Sequence, residues 1–239
     1  FWVASANAVI RQTSIDNALD LKDTFSWGRK DVDSCPGSGD RLPTPSGCAS
    51  VEDVFLRNMG LGWKDAVALM GAHTIGRGDR EFSGHHGTWV DTDEDAQVFD
   101  KQYYEEIYLN SWRPRNSGQP NQDWTTGRTS DVGNTRVMLN TDICLVHNID
   151  GNLPCCTSPG RSYPNGEDQC IDNVAARKKC PMYDSRWEAA DAVTEMLGGS
   201  YPNVNNAPFY DAFSEGWRKA TTVGQEKIFP LVESCESLR

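Results

Sequence analysis

Apolar positions along this chain recur at helical spacing in separate blocks, divided by long polar loops. Residues 1–12 are apolar on most sides and predict a buried helix. Residues 30–50 are rich in Pro, Gly, Ser and Asp and read as a loop, which a disulfide between Cys35 and Cys48 would close. Ser50 followed by Asp53 predicts a capping box opening a helix through Met59. Val51, Val54, Phe55 and Met59 share one face of it, and Gly60 stops it. A further helix is predicted over 64–72, a loop over 76–95, and a helix over 96–112 carrying Val98, Tyr103, Ile107 and Leu109. Residues 113–134 are polar and turn-rich, and the apolar stretch 136–146 holds a single acid, Asp142. The last clear helix covers 207–221, where Phe209, Phe213 and Trp217 fall at i, i+4 and i+8. No internal repeat is present, and the fold class expected is mainly α with long ordered loops.

Composition narrows the partners. The chain has 239 residues, 38% hydrophobic and 24% charged, which suits one large or two small soluble domains. The net charge of −11 argues against nucleic acid and anionic membranes, both of which need a basic footprint. No apolar run is long enough to span a bilayer. The eight cysteines are an even number with no CxxC pair, which favours disulfides over zinc and an oxidising, secretory or extracellular setting. No N-x-S/T sequon supports that setting. Four of the cysteines crowd into 148–184 among Pro, Gly and Asn, which reads as a disulfide-stapled insertion. The chain opens directly in a helical pattern without a cap or cleavage signal, so upstream sequence is expected to have been removed by processing or to be missing from the record.

Chemistry concentrates in three residues. His73 follows an apolar helix and two small residues, Gly71 and Ala72, which clear space for something large and flat. A histidine at a helix C-terminus is also favoured by the helix dipole alone. Trp89 lies in Ser-Gly-His-His-Gly-Thr-Trp, and Asp142 in Met-Leu-Asn-Thr-Asp. Singly, a tryptophan reads as core and a lone acid as a cap or ion-pair partner. Together they match a metal-bound histidine whose ring is oriented by a carboxylate.

These stretches resemble the plant, fungal and bacterial haem peroxidase superfamily. Asp-Ala-Val-Ala-Leu-Met-Gly-Ala-His-Thr-Ile-Gly-Arg is similar to its proximal-histidine helix. The Trp89 and Asp142 segments are similar to those of ascorbate and cytochrome c peroxidases, and Trp-Gly-Arg-Lys-Asp and Arg-Leu-Pro-Thr-Pro also fit. The resemblance implies a haem-peroxidase-like helical fold in its proximal half over 1–147, the Cys-rich insertion at 148–184, and C-terminal helices completing the domain over 185–239. It implies haem b held by His73 as iron ligand, Asp142 as acceptor for the ring, and Trp89 stacked beside it as a one-electron relay. It also implies a calcium ion on Thr74, Asp93, Asp95, the Val98 carbonyl and Asp100, with Asp91 and Thr92 as substitutes. A solvated acidic turn is the alternative for that loop.

Two departures stand out. Asp79 replaces a histidine that relatives place near a haem propionate. The distal Arg-x-x-Phe-His stretch, whose histidine and arginine act on peroxide, is not in these residues. The expected activity is reduction of hydrogen peroxide with one-electron oxidation of a donor, together with a separate distal fragment of the same precursor packed on residues 1–12. The alternatives are a non-catalytic secreted peroxidase-like binding or structural protein, and a calcium-dependent interaction module on 91–100.

Overall fold

A computed structural model describes residues 1–115, 122–126, 136–149, 155–157, 179–181, 186–198 and 205–231. Among these the chain is mainly α-helical. In chain order the helices are α1 (Trp2–Thr13), α2 (Cys48–Val51), α3 (Trp63–Met70), α4 (Arg80–Ser83), α5 (Gln102–Leu109), α6 (Asn140–Ile143), α7 (Trp187–Met196) and α8 (Ala207–Thr222). Short antiparallel ribbons join them: β1 (Ser26–Trp27) with β7 (Phe229–Pro230), β2 (Arg77–Gly78) with β3 (Gly87–Thr88), and β4 (Arg113–Pro114), β5 (Asp123–Thr125) and β6 (Met138–Leu139) in that order.

The centre is α3, whose Ala66, Val67, Ala68 and Met70 are buried against α7 and α8. Its first turn is closed by Asp65, which accepts the Gly62 N–H at 3.2 Å and also takes Lys219 of α8 at 2.8 Å. The two helices approach closely because Gly216 of α8 has no side chain. A Cβ there would stand 3.1 Å from the Asp65 carbonyl. The predicted aromatic stripe of α8 is realised: Phe209 and Phe213 are buried, and Trp217 stacks on Phe213 with ring centroids 5.9 Å apart.

Several expectations are corrected. The helix at 1–12 forms, yet Ile10 is its one buried residue, and Phe1 and Trp2 are 90% and 81% exposed. It docks through few groups, chiefly Asn7, which bonds the Leu21 carbonyl and accepts from the Trp217 indole. No capping box forms at Ser50, because its hydroxyl accepts the Thr44 N–H at 2.6 Å instead. That helix starts earlier, at Cys48 behind Gly47, and widens into a π-helical turn over Glu52–Asn58. Cys35 and Cys48 do not pair. Cys48 is buried on α2 against α6 and bonds Cys144, while Cys35 is free and exposed.

The helix expected over 96–112 is shorter. A 3-10 turn (Asp95–Gln97) and an extended Val98–Phe99 precede it, and α5 begins only where the Asp100 carboxylate accepts the Gln102 N–H at 2.9 Å. The loop at 76–95 contains β2, α4 and β3. Of the stretch 148–184, expected to be a disulfide-stapled insertion, the described residues include a Cys155–Cys180 disulfide. Cys170 and Cys235 lie outside the described residues.

Candidate functional site

Helix α3 stops because Gly71–Thr74 tightens into a 3-10 turn, and this turn carries His73. Gly71 does not clear space for a ligand. It is buried, and a Cβ there would collide with the Tyr104 hydroxyl and the Phe209 ring, so its smallness serves packing against α5 and α8. Ala72 does face outward. With His73 it lines a cavity of about 370 Å³ whose other walls include Pro43, Pro45, Phe55, Met70 and Leu139.

Asp142, the third residue of α6, is fully buried and accepts four hydrogen bonds. His73 Nδ1 donates to Oδ1 at 2.9 Å and the Tyr103 hydroxyl to the same oxygen at 2.7 Å. The Trp89 indole N–H donates to Oδ2 at 2.8 Å and the Leu139 N–H at 2.7 Å. Burial alone would push the Asp142 carboxyl up. The charge and hydrogen bond of His73, with the Leu139 N–H and the Tyr103 hydroxyl, outweigh it and hold it below the ordinary carboxylate value. An ionised Asp142 makes Nδ1 the donor. His73 Nε2 is then the ring atom left for a ligand, on a side chain still 35% exposed. Trp89 stacks on the His73 ring with centroids 4.4 Å apart and planes at 27°.

The three residues singled out by sequence therefore converge. Tyr103 was read only as an apolar position of a helix, yet it meets the His73 ring edge-on at 5.8 Å and shares its acceptor. Burial and the Asp142 charge push its phenol well above the usual value. The missing signal was its polar tip: a buried tyrosine needs a partner for its O–H, and Asp142 was the acid in need of donors.

The acidic loop is gathered only in part. The Thr74 hydroxyl lies 3.1 Å from Asp100 and 3.4 Å from the Val98 carbonyl. Burial pushes the Asp100 carboxyl up, and Asp95 stays close enough for its charge to add to that, but the hydrogen bonds of Asp95 and the ion pair of Asp93 go elsewhere. Asp93 lies 3.8 Å from Arg77, and Asp95 accepts the Thr92 hydroxyl and N–H to close its own turn. Asp91 pairs with Arg136 at 2.8 Å. Among the described residues no group of three or more His, Cys, Asp and Glu is placed to hold a metal. Asp79, where the propionate contact was open, caps α4 by accepting the Glu81 N–H at 2.9 Å.

These residues fit a mostly apolar ligand bearing an atom that takes a nitrogen donor. The cavity walls are largely apolar, and His73 presents one imidazole nitrogen with its opposite nitrogen tied to a buried carboxylate.

Comparison with known proteins agrees. A family model described as peroxidase matches residues 1–150. The chain is 46% identical over 84 residues to L-ascorbate peroxidase 3 of Arabidopsis thaliana, a match covering 35% of this chain and 28% of that protein. It is 34% identical over 128 residues to the mitochondrial cytochrome c peroxidase of Aspergillus fumigatus, covering 52% of this chain and 32% of that protein. The chain thus spans about a third or less of the length of the curated relatives it matches.

Proposed function

This chain belongs to the peroxidase family, and from that premise we propose that it is the proximal part of a haem enzyme that reduces hydrogen peroxide by one-electron oxidation of a donor. The observation that carries the reading is the His73–Asp142 pair at the floor of an apolar cavity, with His73 Nε2 unclaimed. When bound, haem supplies the redox centre. His73 holds it through Nε2, and Asp142 keeps the proton on Nδ1 and increases the electron donation of the ring. Leu139, Met70 and the two prolines keep water from the floor. Trp89, stacked on His73 and bonded to the same carboxylate, is the candidate one-electron relay.

The groups that act on peroxide belong to a distal segment of the same precursor, since no Arg-x-x-Phe-His stretch occurs in these 239 residues. The exposed apolar face of α1 around Trp2 and Val9 supports docking of that segment there. The disulfides Cys48–Cys144 and Cys155–Cys180 support an oxidising, secretory or extracellular setting.

His73→Ala is the direct test. The expected result is loss of stoichiometric haem and of its Soret absorption. An unchanged spectrum overturns the assignment, and absence of haem from the native protein favours the non-catalytic binding or structural alternative. For calcium, Thr74, Val98 and Asp100 are the supporting convergence, with Asp93 and Asp95 turning in from Arg77 and Thr92 on binding. Chelation is then expected to lower the melting temperature, because a ligand that binds only the folded state stabilises it. Elemental analysis that finds no stoichiometric calcium refutes this.

A further inference from the structure

The cavity that His73 lines contains a second imidazole backed by a carboxylate. His85 Nδ1 lies 2.5 Å from Asp123 Oδ1, and the two side chains are 7% and 3% exposed. Neither belongs to the His73 cluster. Their positions are tightly fixed. The β2–β3 ribbon pairs Gly78 with Gly87, and a Cβ at Gly78 would sit 3.1 Å from the His85 carbonyl, so the ribbon packs tightly on His85. The Ser83 hydroxyl donates to the His85 carbonyl and accepts from the His85 N–H, both at 3.2 Å. Asp123 is held on β5 opposite Leu139 of β6, three residues before Asp142, and Arg115 lies 3.9 Å from its other oxygen.

Asp123 ties up Nδ1, so Nε2 is the ring atom His85 can offer to the cavity. The rest of the lining is poor in polar side chains. Apart from the two histidines only Ser83 and Thr141 contribute one. A buried, carboxylate-backed imidazole on such a wall is suited to a negatively charged ligand group. With Nε2 as donor, His85 would bridge Asp123 on the protein side and a carboxylate on the ligand side, with Arg115 beside Asp123.

We propose that the His85–Asp123 pair binds a carboxylate of the ligand held by His73. On the reading above, which this inference rests on, that group is a haem propionate. Charge-assisted hydrogen bonds of this kind are the strong ones, so their loss is felt in ligand retention.

The test measures haem transfer to excess apomyoglobin, with ordinary haem and with its dimethyl ester, in which both carboxylates are blocked. In the unaltered protein, produced from its full precursor, the ester is expected to leave roughly ten- to a hundredfold faster than haem, the range for a charged hydrogen bond. His85→Phe should accelerate haem loss by a similar factor and leave the ester rate unchanged. Asp123→Asn, nearly isosteric, should move haem in the same direction. Equal acceleration of both ligands, or of neither, overturns the proposal. So does a spectrum in which His85→Phe removes an axial iron ligand. If the unaltered protein takes up no haem, the haem reading falls as well. Uptake that is indifferent to His85 and to esterification overturns this inference alone.

Discussion

At the scale of single residues, neutralising Asp142 and removing one of its four donors have opposite expected consequences. Asp142→Asn takes away the charge behind His73, so on the proposed haem reading the imidazole would donate less to a bound iron, and the reduction potential is expected to rise. Tyr103→Phe removes a donor that competes with His73 for the same oxygen. The carboxylate then draws harder on Nδ1, and the potential is expected to fall. The lost hydrogen bond lowers stability by about 1–3 kcal/mol. Potentiometric titration with thermal melts separates the two effects, and shifts of the same sign would show that Tyr103 only packs.

Two buried groups contribute to the pH response with opposite signs. His147 is buried, its Nδ1 has no hydrogen-bond partner among the described residues, and burial holds its pKa at about 4 against 6.5. The unfolded chain takes the proton first, so this contribution is present above pH 6.5 and is lost as pH falls through 4, about 3 kcal/mol in all. Glu106 is raised to about 7 by burial, against the pull of Arg136 at 2.8 Å. Its contribution has the opposite sign: full below pH 4.5, and lost as pH rises through 7. His147→Leu is expected to flatten the acid limb of a melting-temperature profile and Glu106→Gln the neutral limb.

Among the elements, the link that orients the site is the disulfide joining α2 to α6. Helix α2 and the π-helical turn after it supply Val51 and Phe55 to the cavity wall, and α6 supplies Asp142. Replacing Cys48 and Cys144 by serine should cost about 2–5 kcal/mol, read as a lower melting temperature, with the remaining effect of reductant coming from other bonds such as Cys155–Cys180. A greater thermal loss is expected from Gly71→Ala than from a typical surface change. The added methyl meets Tyr104 and Phe209 in a packed core, which costs about 1–3 kcal/mol. Circular dichroism melts measure it, and an unchanged melt would mean that the α3–α5 contact can relax.

Over the whole molecule, legibility followed the kind of force at work. Strong local periodicity was readable, as in α8, where the aromatic stripe and the boundaries agree with the pattern to within a residue. The convergence of His73, Trp89 and Asp142 was readable through motif resemblance. Their separations of 16 and 53 residues leave no mark on periodicity. What failed were readings that depend on which partner wins. Ser50 was free to accept from Thr44 instead of capping, and Cys48 had a nearer partner on α6 than in its own loop. Helix α1 looked buried from composition, but burial needs a surface to receive it, and only the Ile10 and Asn7 side finds one here. His85 and Asp123 sit 38 residues apart with no shared motif, so nothing before the fold linked them.

The Cys48–Cys144 bond encloses 95 intervening positions, and His73, His85, Trp89, Tyr103, Asp123 and Asp142 all lie among them. Both histidine–carboxylate pairs are therefore inside one covalent ring. A protease that cuts the ring once, for example at exposed Arg80, opens the polypeptide without releasing either piece. Such a nicked molecule should migrate as a single species on a denaturing gel run without reductant and as two species with it.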